Sequence, residues 1–253
     1  MKSIYWCEFP REYNCKKLAA MLGKRKIVIY LACSSRGEYE TWKKKVQAYS
    51  KNIEVNAWPT LPFSEGYWFS GFTKKEMIDQ LDQYRGLKIK IDIEPPKPKG
   101  KYSFTTSIRW LVLNFFRRAP NSKYLQNKIK KLSKDTDIIL STFPLPKFLL
   151  RHWGWEENSR LHYNYMHYST FVPKGVRWLY NSYYKWFMKK NEDAYFAVGL
   201  VDTGIFRNEP IYKNIDEIKK DMEFLRKNGA QTLVFFRIES LIDRGKEWLE
   251  ATF

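Results

Sequence analysis

Residues 86–96 read GLKIKIDIEPP, and written as a β-strand their side chains alternate between two faces. Ile89, Ile91 and Ile93 fall on one face; Lys90, Asp92 and Glu94 fall on the other. Gly86 and Pro95-Pro96 punctuate the run at its ends. Strands covered on both sides normally read as unbroken apolar stretches. A column of three ionisable side chains on a covered face is costly unless the charges pair or line a wet site. The column therefore marks both a strand and the place to look for chemistry.

Seven further runs of the same kind surround it: SIYWCEF (3–9), KIVIYLACS (26–34), IEVNAWP (53–59), DIILSTF (137–143), LHYNYMHYS (161–169), YFAVGLVD (195–202) and TLVFFRIE (232–239). Helical spacing occupies most intervals. A helix near 12–23 stops at Gly23, and one near 37–49 places Tyr39, Trp42, Val46 and Tyr49 on one side. Further helices are expected near 74–85, within 105–134 in one or two pieces, and near 146–151 and 175–190. Two more follow near 214–228, closed by Asn228-Gly229, and 240–251. Eight β–α repeats in this order predict an α/β fold, a single closed (β/α)₈ TIM barrel spanning 1–253 as one domain. An open doubly wound sheet would carry a Gly-rich phosphate turn, and neither GxGxxG nor GxxxxGK[ST] occurs. No nucleotide or other cofactor is therefore expected.

The chain has 253 residues and a net charge of +18. Its lysines are scattered, as at Lys43–Lys45, Lys97–Lys101 and Lys128–Lys131, which predicts a solvated exterior rather than a nucleic-acid groove. Three cysteines, Cys7, Cys15 and Cys33, show neither CxxC nor zinc-like spacing, and a reducing, cytoplasmic location is expected. The N-terminus lacks a signal-like apolar segment, and the stretch Trp110 to Phe116 is too short to span a bilayer, so no membrane contact is expected.

Barrels of this type carry their sites at the C-terminal ends of the strands. Strands one, four, seven and eight end there with Glu8, Glu94, Asp202 and Glu239. Strand three aligns Glu54, Asn56 and Trp58; strand six aligns His162, Asn164, Met166 and Tyr168; strand eight is read with Phe235, Arg237 and Glu239 inward. An active site and a satisfied ion-pair network both fit this pattern. The loop PTLPFSEGYWFSGF (59–72) brings Tyr67 and Trp68 among other aromatics, which suits either stacking on sugar rings or capping of the barrel. His162 and His167 sit five apart on one strand and face opposite ways, so no two-His metal site is expected.

Strand four ending in Asp-Ile-Glu (92–94), together with Met166-His167-Tyr168 on strand six, resembles the chitinase-like barrels of glycoside hydrolase family 18. That family ends strand four in DxxDxDxE and carries Met-x-Tyr-Asp on strand six. Asp92, Glu94, Met166 and Tyr168 match; Leu87, Lys90 and Ser169 stand where the family has aspartates, and no SxGG occurs at strand three. The resemblance implies a glycosidase in which Glu94 protonates the glycosidic oxygen and Asp92 and Tyr168 hold the substrate's acetamido group. Trp58, Tyr67, Trp68, Asn164, Met166, Asp202, Arg237, Glu239 and Glu8 would contact a carbohydrate substrate.

Two other classes compete with this reading. Glu8, Asp92, Glu94, Asp202 and Glu239 are oxygen donors suited to Mg²⁺ or Mn²⁺ in an isomerase or phosphodiesterase. A non-catalytic barrel binding a glycan or anion is the third.

Overall fold

A computed structural model describes residues 2–96, 104–203 and 208–253, with the side chains of positions 12, 13, 104, 105 and 107 left aside. The lysine run at 97–101 lies outside the described residues. Eight parallel strands close into a barrel in sequence order: β1 (Lys2–Cys7), β2 (Ile27–Cys33), β3 (Ile53–Pro59), β4 (Lys88–Asp92), β5 (Asp137–Thr142), β6 (Leu161–His167), β7 (Tyr195–Val198) and β8 (Thr232–Phe236). β8 pairs with β1 and seals the ring. The expected (β/α)₈ TIM barrel is the observed architecture.

The helices are α1 (Glu12–Leu22), α2 (Arg36–Tyr49), α3 (Lys75–Asp79), α4 (Phe104–Phe116), α5 (Ser122–Leu132), α6 (Lys147–His152), α7 (Arg177–Lys189), α8 (Ile215–Lys227), α9 (Ile238–Arg244) and α10 (Lys246–Glu250). Local sequence starts several of them. Ser35 caps α2 by accepting from the Glu38 N–H, while the Glu38 carboxylate accepts from the Ser34 N–H and hydroxyl. Asn214 caps α8 through the Glu217 N–H in the same way. On α5 the spacing of Leu125, Ile129 and Leu132 buries one side against the sheet. The segment 105–134 does break in two, and only α5 fills the usual outer-ring position before β5; α4 is extra chain between β4 and α5.

Two apolar layers result. One lies between strands and helices and includes Ile89, Ile91, Ile93, Leu140 and Phe235. The other fills the barrel and includes Trp6, Tyr30, Trp58, Ile139, Met166 and Phe236. The pairing registers climb one residue per strand around the ring and sort the inward side chains into tiers from alternate strands. Tyr30, Lys90, Asn164 and Val234 make one tier. Trp6, Trp58, Ser141 and Ala197 lie above it, and Ala32, Asp92, Met166 and Phe236 above those.

Strand eight departs from its sequence reading. Val234 and Phe236 point into the barrel, while Phe235 packs outward against the Tyr5 ring at 5.4 Å. All five residues of TLVFF are apolar or small, so the run carries no alternation from which to read a face. The strand stops at Phe236, and Arg237 already begins the entry into α9. Strand seven likewise stops at Val198, four residues before Asp202. Among the described residues no helix is long and apolar enough to cross a membrane.

Candidate active site

The inner column of β4 runs up the barrel axis, and each of its residues meets a different environment. Lys88, at the bottom, is exposed and pairs with Glu54 of β3 at 2.9 Å. Lys90, one step up, is 1% exposed. Its amine lies 2.7 Å from Asp92 Oδ2, 3.4 Å from the centre of the Trp58 ring and 4.7 Å from that of Trp6. Burial pushes the Lys90 amine down and the Asp92 carboxyl up, and their mutual contact opposes both shifts. The indole faces favour the ammonium further, since a desolvated cation over an aromatic face gains about 2 kcal/mol. The pair forms a charged floor that plugs the barrel below the mouth.

Above the floor carboxyl groups accumulate. Glu94, which follows β4, is 3% exposed, and burial followed by the nearby Asp92 raises its carboxyl well above the usual range. Glu8, which follows β1, is 4% exposed; burial pushes it up to about 8, against the pull of Arg237 and with a further push from Glu239 and Glu209. The Tyr67 hydroxyl donates to Glu8 Oε1 at 3.3 Å. Glu239 approaches from the first turn of α9, where its Oε1 accepts the N–H groups of Glu8 at 2.7 Å and Phe9 at 2.6 Å. Arg237 lies 3.7 Å from Glu239 and 3.7 Å from Asp202 and packs over the Phe9 ring. At the mouth, then, buried carboxyls outnumber nearby cations, and protons make up the difference at Glu8 and Glu94.

Tyr168 closes the opposite side from the end of β6. Its ring approaches Phe143, Phe171 and Phe236, and burial raises its hydroxyl so that it stays a neutral donor. A Cβ at position 199 would stand 2.8 Å from the Tyr168 ring, so Gly199 is required where the ring crosses the end of β7.

The structure thus brings Glu8, Asp92, Glu94, Tyr67, Tyr168, Arg237 and Glu239 to one end of the barrel. Trp58 lies beneath Asp92 as part of the lysine cage. Met166 shares the Asp92 tier, and Asn164 sits two tiers lower, level with Lys90, where its amide donates to Ser141 at 2.8 Å. Asp202 is half-exposed at the rim, and Trp68 is half-buried with its ring edge against Tyr67. Sequence reasoning missed Glu209. It lies in the long connection after β7, is buried, and raises both Glu8 and Glu94. Nothing in a loop glutamate far from a strand signals that position. His167 packs outside the barrel between Tyr184 and Phe224, and burial pushes it down to about 4. Among the described residues no three His, Cys, Asp or Glu side chains gather as a metal ligand set.

No protein-family model and no curated protein matches the chain. Among solved structures the chain is similar to a xylose isomerase domain protein from Planctomyces limnophilus, at 11% identity over 99% of this chain and 95% of that one, with a TM-score of 0.49. It is also similar to a truncated 3-deoxy-D-arabino-heptulosonate 7-phosphate synthase from Thermotoga maritima, at 9% identity over 99% and 87%, TM-score 0.46. Dihydropteroate synthase from Anaplasma phagocytophilum matches at 9% identity over 100% and 99%, TM-score 0.39. Likeness at this level transfers no activity, and the barrel assignment rests on the chain's own strand pairing. These comparisons overturn the resemblance to glycoside hydrolase family 18: no family model recognises the chain, and none of these structures is a chitinase. The physical reason is visible at position 90. The motif's aspartate is replaced by a lysine that binds Asp92 directly, so Asp92 is engaged with a cation rather than a second carboxyl.

Proposed function

We propose that this barrel is an acid–base enzyme acting on a hydroxylated, sugar-like substrate at the C-terminal mouth, by an isomerase-type proton transfer next to a carbonyl. The observation that carries this reading is the pair of buried carboxyls, Glu8 and Glu94, both raised by burial but beside different charges, Arg237 for Glu8 and Asp92 for Glu94. Titratable groups whose environments push their pKa values apart are suited to opposite roles. Glu94 serves as the general acid, protonating the carbonyl oxygen. Glu8, at about 8, is the base: in its ionised form it takes the proton from the carbon next to the carbonyl and returns it to the neighbouring carbon as Glu94 recovers its own. Tyr168 donates to a substrate oxygen, and Arg237 stabilises negative charge that develops on the carbonyl. Tyr67, Trp68, Asp202 and Glu239 line the approach, while Asp92 and Lys90 hold the floor.

Glycosidic hydrolysis is the second reading, supported by the same raised Glu94. The usual two-carboxylate scheme also needs an ionised carboxylate facing the sugar. Asp92, the neighbour on the strand, is committed to Lys90, which places hydrolysis second.

The test is incubation with aldoses, ketoses and their phosphates in D₂O, followed by NMR, beside a panel of aryl glycosides. Deuterium entry at the carbon next to the carbonyl is expected, falling by about 10²–10⁴ in Glu94→Gln. Cleavage of aryl glycosides without exchange would transfer the assignment to hydrolysis, and exchange that survives Glu94→Gln would remove Glu94 from the chemistry.

A further inference from the structure

The outer surface flanking β4, β5 and β6 does not follow the polar exterior expected of a chain with a charge of +18. Three helices turn large apolar side chains to solvent: Leu113 and Phe116 on α4, Phe148 on α6, and Trp178, Leu179 and Trp186 on α7. Phe116 is 87% exposed, Phe148 71% and Trp178 65%. These are not core residues left unpacked. The inward sides of α6 and α7 are filled by Leu150, Tyr184, Phe187 and Met188, all buried. The elements also adjoin one another. Trp153 donates to the Asn114 carbonyl at 3.3 Å, the His152 ring nitrogen lies 2.7 Å from the Arg117 carbonyl, and the Tyr183 hydroxyl donates to the Pro144 carbonyl at 2.6 Å. The exposed side chains thus stand on adjoining elements and form a band over α4, α6 and α7, unlike the scattered single hydrophobes of an ordinary surface.

Charge identifies what would cover it. The sequences of α4, α6 and α7 contain no Asp or Glu, yet carry Arg109, Lys147, Arg151, Arg177, Lys185 and Lys189. Glu157 pairs with Lys147 and Arg151, and the Lys190 amine lies 4.2 Å over the Trp186 ring. A second copy of this chain would set these basic helices against basic helices. A nucleic acid would meet the charge but leave the aliphatic and aromatic side chains in water. An anionic lipid surface satisfies both, since Trp, Leu and Phe enter the headgroup–acyl boundary while Lys and Arg meet the headgroups. We infer that the α4–α6–α7 band docks the barrel on a bilayer rich in anionic lipid, as a peripheral contact without a spanning segment. Such a contact needs no spanning segment, in keeping with the described residues, among which no helix is long and apolar enough to cross a membrane, and it does not depend on the reaction at the mouth.

The experiment is flotation of the intact protein with vesicles of phosphatidylcholine alone and of phosphatidylcholine mixed with phosphatidylglycerol, at low and high salt. Binding to the anionic vesicles is expected to exceed that to neutral ones at least about tenfold and to weaken with salt, since each basic residue at such a surface is worth roughly fivefold. The combined variant Phe116→Ser, Trp178→Ser, Trp186→Ser removes three side chains that are each more than half exposed and lie outside the core. It should fold, by circular dichroism, and lose at least about tenfold in partitioning. Lys185→Glu with Lys189→Glu should lose affinity for anionic vesicles alone. Absence of binding to phosphatidylglycerol vesicles, equal binding to neutral ones, or retention by the folded triple variant would overturn the inference. So would a concentration-dependent dimer in sedimentation analysis that the triple variant abolishes, because the band would then belong to a second copy.

Discussion

The two ends of the barrel use the same residue types to opposite effect. At the N-terminal end Glu54 faces Lys88 across the β3–β4 pair, both are about half-exposed, and the lysine holds the glutamate below its ordinary value. At the C-terminal end Glu8 and Glu94 have cations nearby as well, yet both are raised, because burial outweighs the charges. Proximity of opposite charge therefore does not decide the protonation state here; access of water does. One end is a solvated ion pair, and the other is a buried cluster whose carboxyls are raised by loss of water.

The widest separation between the two ends is expected in catalysis. Glu94→Gln keeps the shape of the mouth and removes the proton, so turnover should drop by about 10²–10⁴ with the fold intact. Glu54→Gln should leave turnover unchanged. Equal losses from both, measured at matched stability, would erase the distinction.

Next comes the floor that separates the ends. Lys90→Met leaves Asp92 buried without its cation, a change worth about 3–5 kcal/mol in stability. Urea unfolding should show that loss, and Lys90→Met combined with Asp92→Leu should recover much of it. A loss within about 1 kcal/mol for Lys90→Met would mean that Asp92 is already neutral and the floor is not an ion pair.

The legibility of the sequence followed the same line. On β4 the alternation of isoleucine with Lys90, Asp92 and Glu94 is unambiguous, because each wrong placement would bury a charge among the helices, and the inner column was readable without a structure. Glu54, Asn56 and Trp58 on β3 and Asn164, Met166 and Tyr168 on β6 were readable for the same reason. On β8 five consecutive apolar or small residues offer either face at equal cost, so the reading came out reversed. Arg237 and Glu239 still reach the mouth, but from the N-cap and first turn of α9 rather than from the inner side of the strand. Glu209 and the cage around Lys90 depend on contacts between segments far apart in the chain. No local spacing encodes those contacts. The glycosidase resemblance rested on a few matched positions, and it failed at Lys90, where one substitution changes what Asp92 can do.

A smaller effect separates the ends by pH. Glu8 is raised in the fold, so its contribution to stability is complete below the ordinary 4.5 and is lost as pH rises through about 8. The loss is on the order of a few kcal/mol. Denaturation across that window should therefore show stability falling with pH, and Glu8→Gln should flatten the fall. Stability that rises over the same window because of Glu8 would reverse the assignment.

The smallest effect lies at the solvated end. Glu54 is lowered by Lys88, so its contribution is present above 4.5 and is lost as pH falls below that value. As an exposed pair it is worth about 0–1 kcal/mol, and Glu54→Gln should change the unfolding midpoint only slightly. A larger change would mean that the N-terminal end is drier than its exposure indicates.

Acid–base chemistry at the mouth depends most on burial raising the Glu8 and Glu94 carboxyls. Carboxyl ¹³C NMR of glutamate-labelled protein, titrated from pH 4 to 10, reads this directly, with Glu8→Gln and Glu94→Gln assigning the signals. One resonance, absent from Glu8→Gln, should titrate near 8, and a second, absent from Glu94→Gln, should titrate well above the ordinary carboxylate range. If every glutamate is ionised by pH 6, burial does not hold these protons, and the acid–base reading of the site fails.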